Sequence, residues 1–447
     1  MRFHSFEEML THHVRLTPEA AAFLTEGGET PRTVTFAAFE SDVAKRAAEL
    51  RGCGKTCLGI FCDGSYENIV EIFASVKAGL QTVLLNENAA PEQVTAADID
   101  CLWGDEDLKE EFAPALTEGL PEPTGNVLFF TSGTTSKTKA VTLTEESLCA
   151  SAYNGSALLP LSPDDVLMCL LPLDHVFGFV CGVLWGLSCG ATVALGRGPR
   201  HYFDDLAYFR PTALSAVPLL IGFLLQKRLL NKELKLALIG AGECPPAIPA
   251  ALRQMGVRVS CGYGLTETSS GVALSLGEDT NLMTVCPDYH ITVADDGEIL
   301  IENTTCMMRG YYKNETDTAA VLQNGVLRTG DLGSLDREGR LRILGRKKEM
   351  LVLADGTKVF LPEYEQAIRA ALGDRDFAVI GVEGTVVLVI RGDDTEKDAV
   401  NALLQEALRT VPMGQRPKRI VFVPNPLPRT ATGKIKRWEL QQKVGKL

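Results

Sequence analysis

Hydrophobic positions in the first 90 residues alternate between helical and strand spacing. Segment FEEMLTHHV and segment 35–50 (TFAAFESDVAKRAAEL) space their apolar residues as amphipathic helices do. Segment 57–62 (CLGIFC) is a short apolar run that reads as a buried strand. It is followed by an amphipathic helix over 67–79 ended by glycine, and by a strand over 82–86. Strand, helix and strand in that order predict a parallel sheet with crossover helices. The pattern continues with strands at 126–130, 192–196, 236–240 and 257–264, and helices at 203–209, 217–230 and 246–256. From about 280 the chain changes to short strands and turns, which predict a small antiparallel β unit. Beyond the basic stretch RILGRKKE near 345–349 lies an α+β piece: helices over 363–372 and 396–408, strands over 376–382, 385–390 and 418–423.

These segments predict an α/β fold: a large N-terminal domain of parallel-type sheets with helices plus a small β-barrel-like unit, and a small mobile α+β C-terminal domain. The boundaries are 1–345, with the β-rich unit at about 280–345, and 346–447. The apolar window 176–196 is long enough to raise a membrane span. Glycines at 178, 182, 186, 190 and 196 favour a buried helix, turn and strand instead, and no integral membrane span is expected.

Composition narrows the partners. The 447 residues are 45% hydrophobic and 23% charged, with a net charge of -13. The chain's 57 acidic residues outnumber its 44 lysines and arginines, and nucleic-acid binding needs those cations to displace counterions, so no nucleic-acid partner is expected. A locally positive pocket for a small anion remains open. The twelve cysteines include no CxxC pair, which disfavours both a zinc site and a disulfide framework. Small buried thiols in a reducing cytoplasm are the better reading.

The chemistry-bearing segments begin with 129-FFTSGTTSKTK-139 after a strand. Hydroxyls and backbone N–H groups donate to phosphate oxygens, and lysine supplies a point charge. It is not the GxxxxGK[ST] loop, and by composition alone a polar surface loop is an equal reading. Further on come 239-IGAGECPP-246, 263-YGLTET-268, 328-RTGDLG-333, 336-DREGRLRILGRKKEM-350 and 428-PRTATGKIKRWEL-440. Taken singly, each has a plain alternative: strand-end glycines, a helix cap at Thr266, a turn aspartate, a solvated basic turn, a surface patch.

Together, in this order and over nearly the whole chain, they resemble the adenylate-forming superfamily of acyl- and aryl-CoA synthetases, luciferases and adenylation domains. The resemblance implies that Thr131, Ser132, Gly133, Thr134, Thr135 and Lys139 handle the triphosphate. Ser136, Thr138 and Ala140 depart from that loop's usual glycine, proline and glycine. It implies that Gly240, Ala241, Gly242 and Glu243 border the adenine and that Tyr263 stacks on it, with Gly264 beside it. Thr266 would meet the α-phosphate, Glu267 would bind Mg2+, Asp331 the ribose hydroxyls and Arg346 ribose or phosphate. Lys348 falls at the hinge, and Lys434 would be the catalytic lysine, with Thr266 and Glu267 as its partners in catalysis.

Segment 170-LLPLDHVFGF-179 resembles the family's PLFHxxG stretch and places His175 beside the acyl pocket. Asp174 is adjacent, and a shift of one residue would put an ammonium-binding carboxylate there instead. Phe177, Val217, Pro218, Cys261 and Gly264 are candidate acyl-pocket walls by position. Segment 346–366 is most similar to bacterial fatty-acyl and medium-chain ligases, which implies an aliphatic acid. The chain is short around 87–125, so part of the usual outer wall is expected to be reduced.

The implied activity is an acid–thiol ligase that uses ATP and Mg2+ to form acyl-AMP and then transfers the acyl group to coenzyme A. Two alternatives remain at this stage: transfer to an acyl carrier protein, or a catalytically weak relative that binds nucleotide and acyl groups. A luciferase-like oxidoreductase on the same fold is a third.

Overall fold

The computed structural model describes residues 1–117, 124–131, 139–303, 305–353, 357–429 and 435–444. Helices form at Phe6–Leu16, Phe36–Arg51 and Tyr66–Lys77. Each opens on a hydroxyl that accepts an orphan backbone N–H: Ser5 from Glu8, Thr35 from Ala38 and Ser65 from Asn68. The Tyr66–Lys77 helix crosses between strands Cys57–Phe61 and Gln81–Leu85, which pair in parallel as the pattern requires.

These two strands sit in a six-stranded sheet. Asn126–Thr131 adds in parallel to Gln81–Leu85. The next strand, Lys139–Thr144, turns back antiparallel, with Thr131 opposite Lys139. At its outer side Gly310–Tyr311 returns from far along the chain and pairs antiparallel with Val141 and Thr142. Strands Asn126–Thr131 and Lys139–Thr144 are the two arms of a hairpin.

Among the described residues the larger sheet has fourteen strands. Thr192–Leu195, Val166–Cys169, Ala213–Ala216, Leu236–Ile239 and Arg258–Leu265 run parallel through its centre. Ser270–Ser275 then pairs antiparallel with Arg258–Leu265. The β-rich segment beyond 280 is antiparallel, as expected. It continues edge to edge from Ser270–Ser275 through Met283–Val285, Leu341–Arg346, Val326–Leu335, Glu298–Glu302 and His290–Val293.

The window 176–196 is a helical run, a turn and the strand Thr192–Leu195, with Phe179, Val183, Leu184 and Leu187 buried. Its middle, Val180–Leu184, is a π-helical turn. Among the described residues no helix is long and apolar enough to cross a membrane. All twelve cysteines are free thiols.

A separate core forms after residue 350 around Ile368, Phe377, Val379, Leu388, Ile390 and Val400. Helices Leu361–Leu372 and Lys397–Ala407 pack with a three-stranded sheet, Phe377–Val382, Thr385–Arg391 and Arg419–Val423.

One buried group sets an acid limit on stability. His13 stacks on Phe36 with ring centroids 4.7 Å apart. Burial, with His12 adding, pushes its imidazole from the ordinary 6.5 down to about 4. The unfolded chain therefore binds this proton before the folded chain does. Stability from a neutral His13 is complete above about pH 6.5 and is lost as the pH falls towards 4. In thermal melts, the drop in midpoint from pH 7 to pH 5 should be smaller for His13→Leu than for the wild type. Equal drops would show that other groups govern this limb.

Candidate nucleotide and acyl site

The site forms where the two sheets meet at strand ends. Strand Arg258–Leu265 ends in Tyr263, Gly264 and Leu265 and leads into the turn Thr266–Thr268. The chain reverses so tightly here that a Cβ on Gly264 would lie 1.7 Å from the carbonyl oxygen of Ser270. The turn is tied by Thr268, whose hydroxyl accepts from the Leu265 N–H at 3.0 Å. Thr266 makes no such cap, so the cap reading of that residue does not apply.

Asp331 lies in strand Val326–Leu335, in register with Arg346 on the neighbouring strand. Its carboxylate is 3% exposed. The Tyr263 hydroxyl donates to Oδ2 at 2.8 Å, and Arg346 Nε lies 2.7 Å from Oδ1. Burial, and then the Asp331 charge, push the Tyr263 phenol well above its usual range. Tyr263 thus joins Asp331, 68 positions further along the chain, and Arg346 in one cluster, with Arg346 at the rim.

A second cluster faces the hairpin. Glu267 Oε1 accepts from the Tyr311 hydroxyl at 2.7 Å. The Lys139 ammonium lies 4.5 Å above the Tyr311 ring centroid and 2.9 Å from Asp317 Oδ2. Burial, followed by Glu267, raises the Tyr311 phenol. Tyr311 and Asp317 were not among the sequence candidates.

On the acyl side Asp174 and His175, adjacent in sequence, differ in their surroundings. Asp174 is buried and accepts from Asn86 Nδ2 at 3.0 Å, turned towards the end of strand Gln81–Leu85. His175 is exposed at the start of helix Val176–Phe179. A Cβ on Gly240 would come within 2.8 Å of the Phe177 ring. Ala241, next to it, holds φ at 62°, a left-handed conformation that costs energy for a residue with a Cβ. Gly242 and Glu243 are exposed on the same rim, and Val217 caps helix Pro218–Lys227. Cys261 is buried beside Ile239's register position, and its thiol meets that of Cys244.

Lys348 is exposed in the short turn Lys347–Glu349. Its flanks are pinned: Lys347 pairs with Asp296 and Glu298, and Glu349 with Arg437 at 2.6 Å. Ser132, Gly133, Thr134, Thr135, Ser136, Thr138 and Lys434 lie outside the described residues.

Residues 101–312 match the AMP-binding enzyme family. The indoleacetate–CoA ligase of Aromatoleum aromaticum is 30% identical over 351 residues, 72% of this chain and 67% of that protein. The chain belongs to the adenylate-forming, acyl-CoA synthetase-like AMP-binding enzymes. A second relative of this AMP-binding enzyme, the 2-succinylbenzoate–CoA ligase of Bacillus cereus, is 26% identical and covers 96% of this chain and 97% of its own. The fold is shared with the O-succinylbenzoate coenzyme A synthetase of Bacillus subtilis in complex with AMP. That comparison gives a TM-score of 0.83 at 24% identity, over 97% of this chain and 98% of the other. ATP-bound MatB from Rhodopseudomonas palustris also superposes with a TM-score of 0.83, at 22% identity over 100% and 99%.

Proposed function

We propose that this enzyme is an AMP-forming acid–thiol ligase that joins a carboxylic acid to coenzyme A through an acyl-adenylate. The observation that carries this reading is the Tyr263–Asp331–Arg346 cluster beside Glu267 and Lys139. An aromatic face, a buried carboxylate and a rim guanidinium suit a nucleoside. The carboxylate of Glu267 and the ammonium of Lys139 suit a magnesium-bound triphosphate.

The residues present fit Mg2+, since Glu267 is a half-buried carboxylate with one oxygen engaged by a neutral donor. When bound, the cation would neutralise charge on the phosphate oxygens. In step one the acid's carboxylate oxygen attacks the α-phosphorus, forming acyl-AMP and expelling pyrophosphate. Lys434 would bridge the two anions, with Thr266 at the α-phosphate. In step two the coenzyme A thiol attacks the acyl carbon, giving the thioester and AMP. We assign residues 1–345 as the ATP- and acyl-binding domain and 346–447 as a lid that pivots at Lys348 between the steps.

The acid is proposed to lack an α-amino group. Asp174, the carboxylate that would hold an ammonium, is buried with Oδ2 accepting from Asn86, and the neutral-or-cationic side chain of His175 is the exposed one of the pair. The wording of 346–366 favours an aliphatic acid, whereas the two curated relatives carry names of aryl acids. A pyrophosphate-release screen over aliphatic, aromatic, dicarboxylic and amino acids tests the reading. Release with a monocarboxylic acid and CoA-dependent thioester formation support it. Release only with amino acids, or with no acid at all, overturns it.

A further inference from the structure

Glu267 and Lys139 carry opposite charges and come from different sheets. Glu267 sits in the turn after strand Arg258–Leu265, and Lys139 opens the returning strand of the hairpin. Left to themselves, a carboxylate and an ammonium in neighbouring positions would pair and cancel. Tyr311 stands between these two duties: its hydroxyl end is bonded to Glu267 and its ring face carries Lys139.

The backbone around Tyr311 is fixed on both sides. The Met308 N–H donates to the Glu267 carbonyl at 2.8 Å. The Arg309 and Tyr312 N–H groups donate to Thr142 and Ala140 at 2.9 and 2.8 Å. The Tyr311 N–H donates to the Thr318 hydroxyl at 2.9 Å. The side chain is buried, so its ring has little freedom to swing. A short strand therefore stitches the Glu267 turn to the hairpin, and its one aromatic side chain reaches both charged groups.

We propose that Tyr311 is a positioning residue for the magnesium-bound triphosphate. It holds Oε1 of Glu267 so that the other oxygen is left for the cation, and together with Asp317, 2.9 Å from the Lys139 ammonium, it keeps Lys139 seated on the ring rather than collapsed on the Glu267 carboxylate. The inference rests on the ATP reading above and adds a residue that reading does not require.

The test is equilibrium binding of ATP with Mg2+, ATP in EDTA, and AMP to the wild type, Tyr311→Phe and Tyr311→Leu. Tyr311→Phe keeps the ring and removes only the hydroxyl. It should bind MgATP about tenfold more weakly, the scale of one hydrogen bond to a charged group. Its affinities for AMP and for ATP in EDTA should stay within about twofold of wild type on that account. Tyr311→Leu also removes the seat for Lys139, so its affinity for ATP in EDTA should fall as well. Unchanged MgATP binding by Tyr311→Phe overturns the proposal, as does an equal loss for AMP, which would mark a merely structural role. A wild type that binds no nucleotide overturns the ATP reading itself, a result distinct from either.

Discussion

Lys434→Ala is expected to lower ATP–pyrophosphate exchange by about a thousandfold while leaving thioester formation from supplied acyl-AMP within about threefold. The first step brings a carboxylate against an already anionic phosphate, in a chain of net charge -13. A cation placed between them offsets that repulsion most in the transition state, where charge builds on the phosphoryl oxygens. The second step has no such pair of anions to bring together, because acyl-AMP carries its acyl carbon already activated. The described residues around 430–434 close on each other: Arg429 bridges Ile435, and the Lys436 N–H donates to Pro428 at 2.8 Å. Arg429 is held by Asp376 at 2.6 Å. The base of this segment is thus anchored to the sheet of the C-terminal unit, so truncating one side chain should leave that unit folded. Lys436→Ala is the control: that lysine, just before helix Arg437–Val444, pairs with Glu439 at 3.3 Å, and neither half-reaction should change. Equal loss of both half-reactions in Lys434→Ala would remove the lysine from the role assigned to it.

The elements most legible in the sequence were those whose periodicity is local. Helix Tyr66–Lys77 and the strands on either side follow from spacing and a closing glycine, and the structure places them within a residue or two. Helix Glu145–Leu158 gave no such signal. It is packed by small residues, with Ser147, Cys149, Ala150, Ser151 and Ala152 all buried, so no polar face marks its period. The antiparallel turn-back at Lys139–Thr144 was also hidden, because a strand's direction depends on its partner and not on its own residues. The site divides in the same way. Tyr263, Glu267, Asp331 and Arg346 sit in motifs whose order can be read along the chain. Tyr311 lies in a two-residue strand whose only meaning comes from pairing with residues 141 and 142. Its neighbours Gly310 and Tyr312 carry no phosphate or metal chemistry, and nothing in a linear reading links it to Glu267 44 positions away.

Asp331→Asn should weaken ATP and AMP alike, by about a hundredfold, because both share the ribose that a carboxylate at this position would bind. That symmetry separates it from Tyr311→Phe, which should act on MgATP alone. Asparagine keeps the shape of the side chain but offers one acceptor and one donor where the carboxylate offers two acceptors. The donor must face either Arg346 or the Tyr263 hydroxyl, both of which now donate to Asp331. Loss of the buried anion should cost about 1–2 kcal/mol of stability, less than a fully buried pair because Arg346 is partly open to water. The Tyr263 phenol supplies an internal reporter. Asp331 is the second cause of its raised pKa and burial the first, so the substitution should lower it without returning it to the usual phenol range. An ultraviolet pH titration of wild type, Asp331→Asn and Tyr263→Phe isolates that band, and nucleotide titrations of the first two give the affinities. An Asp331→Asn protein that is folded and binds AMP within about threefold of wild type would show that this carboxylate organises Tyr263 and Arg346 without contacting the nucleotide.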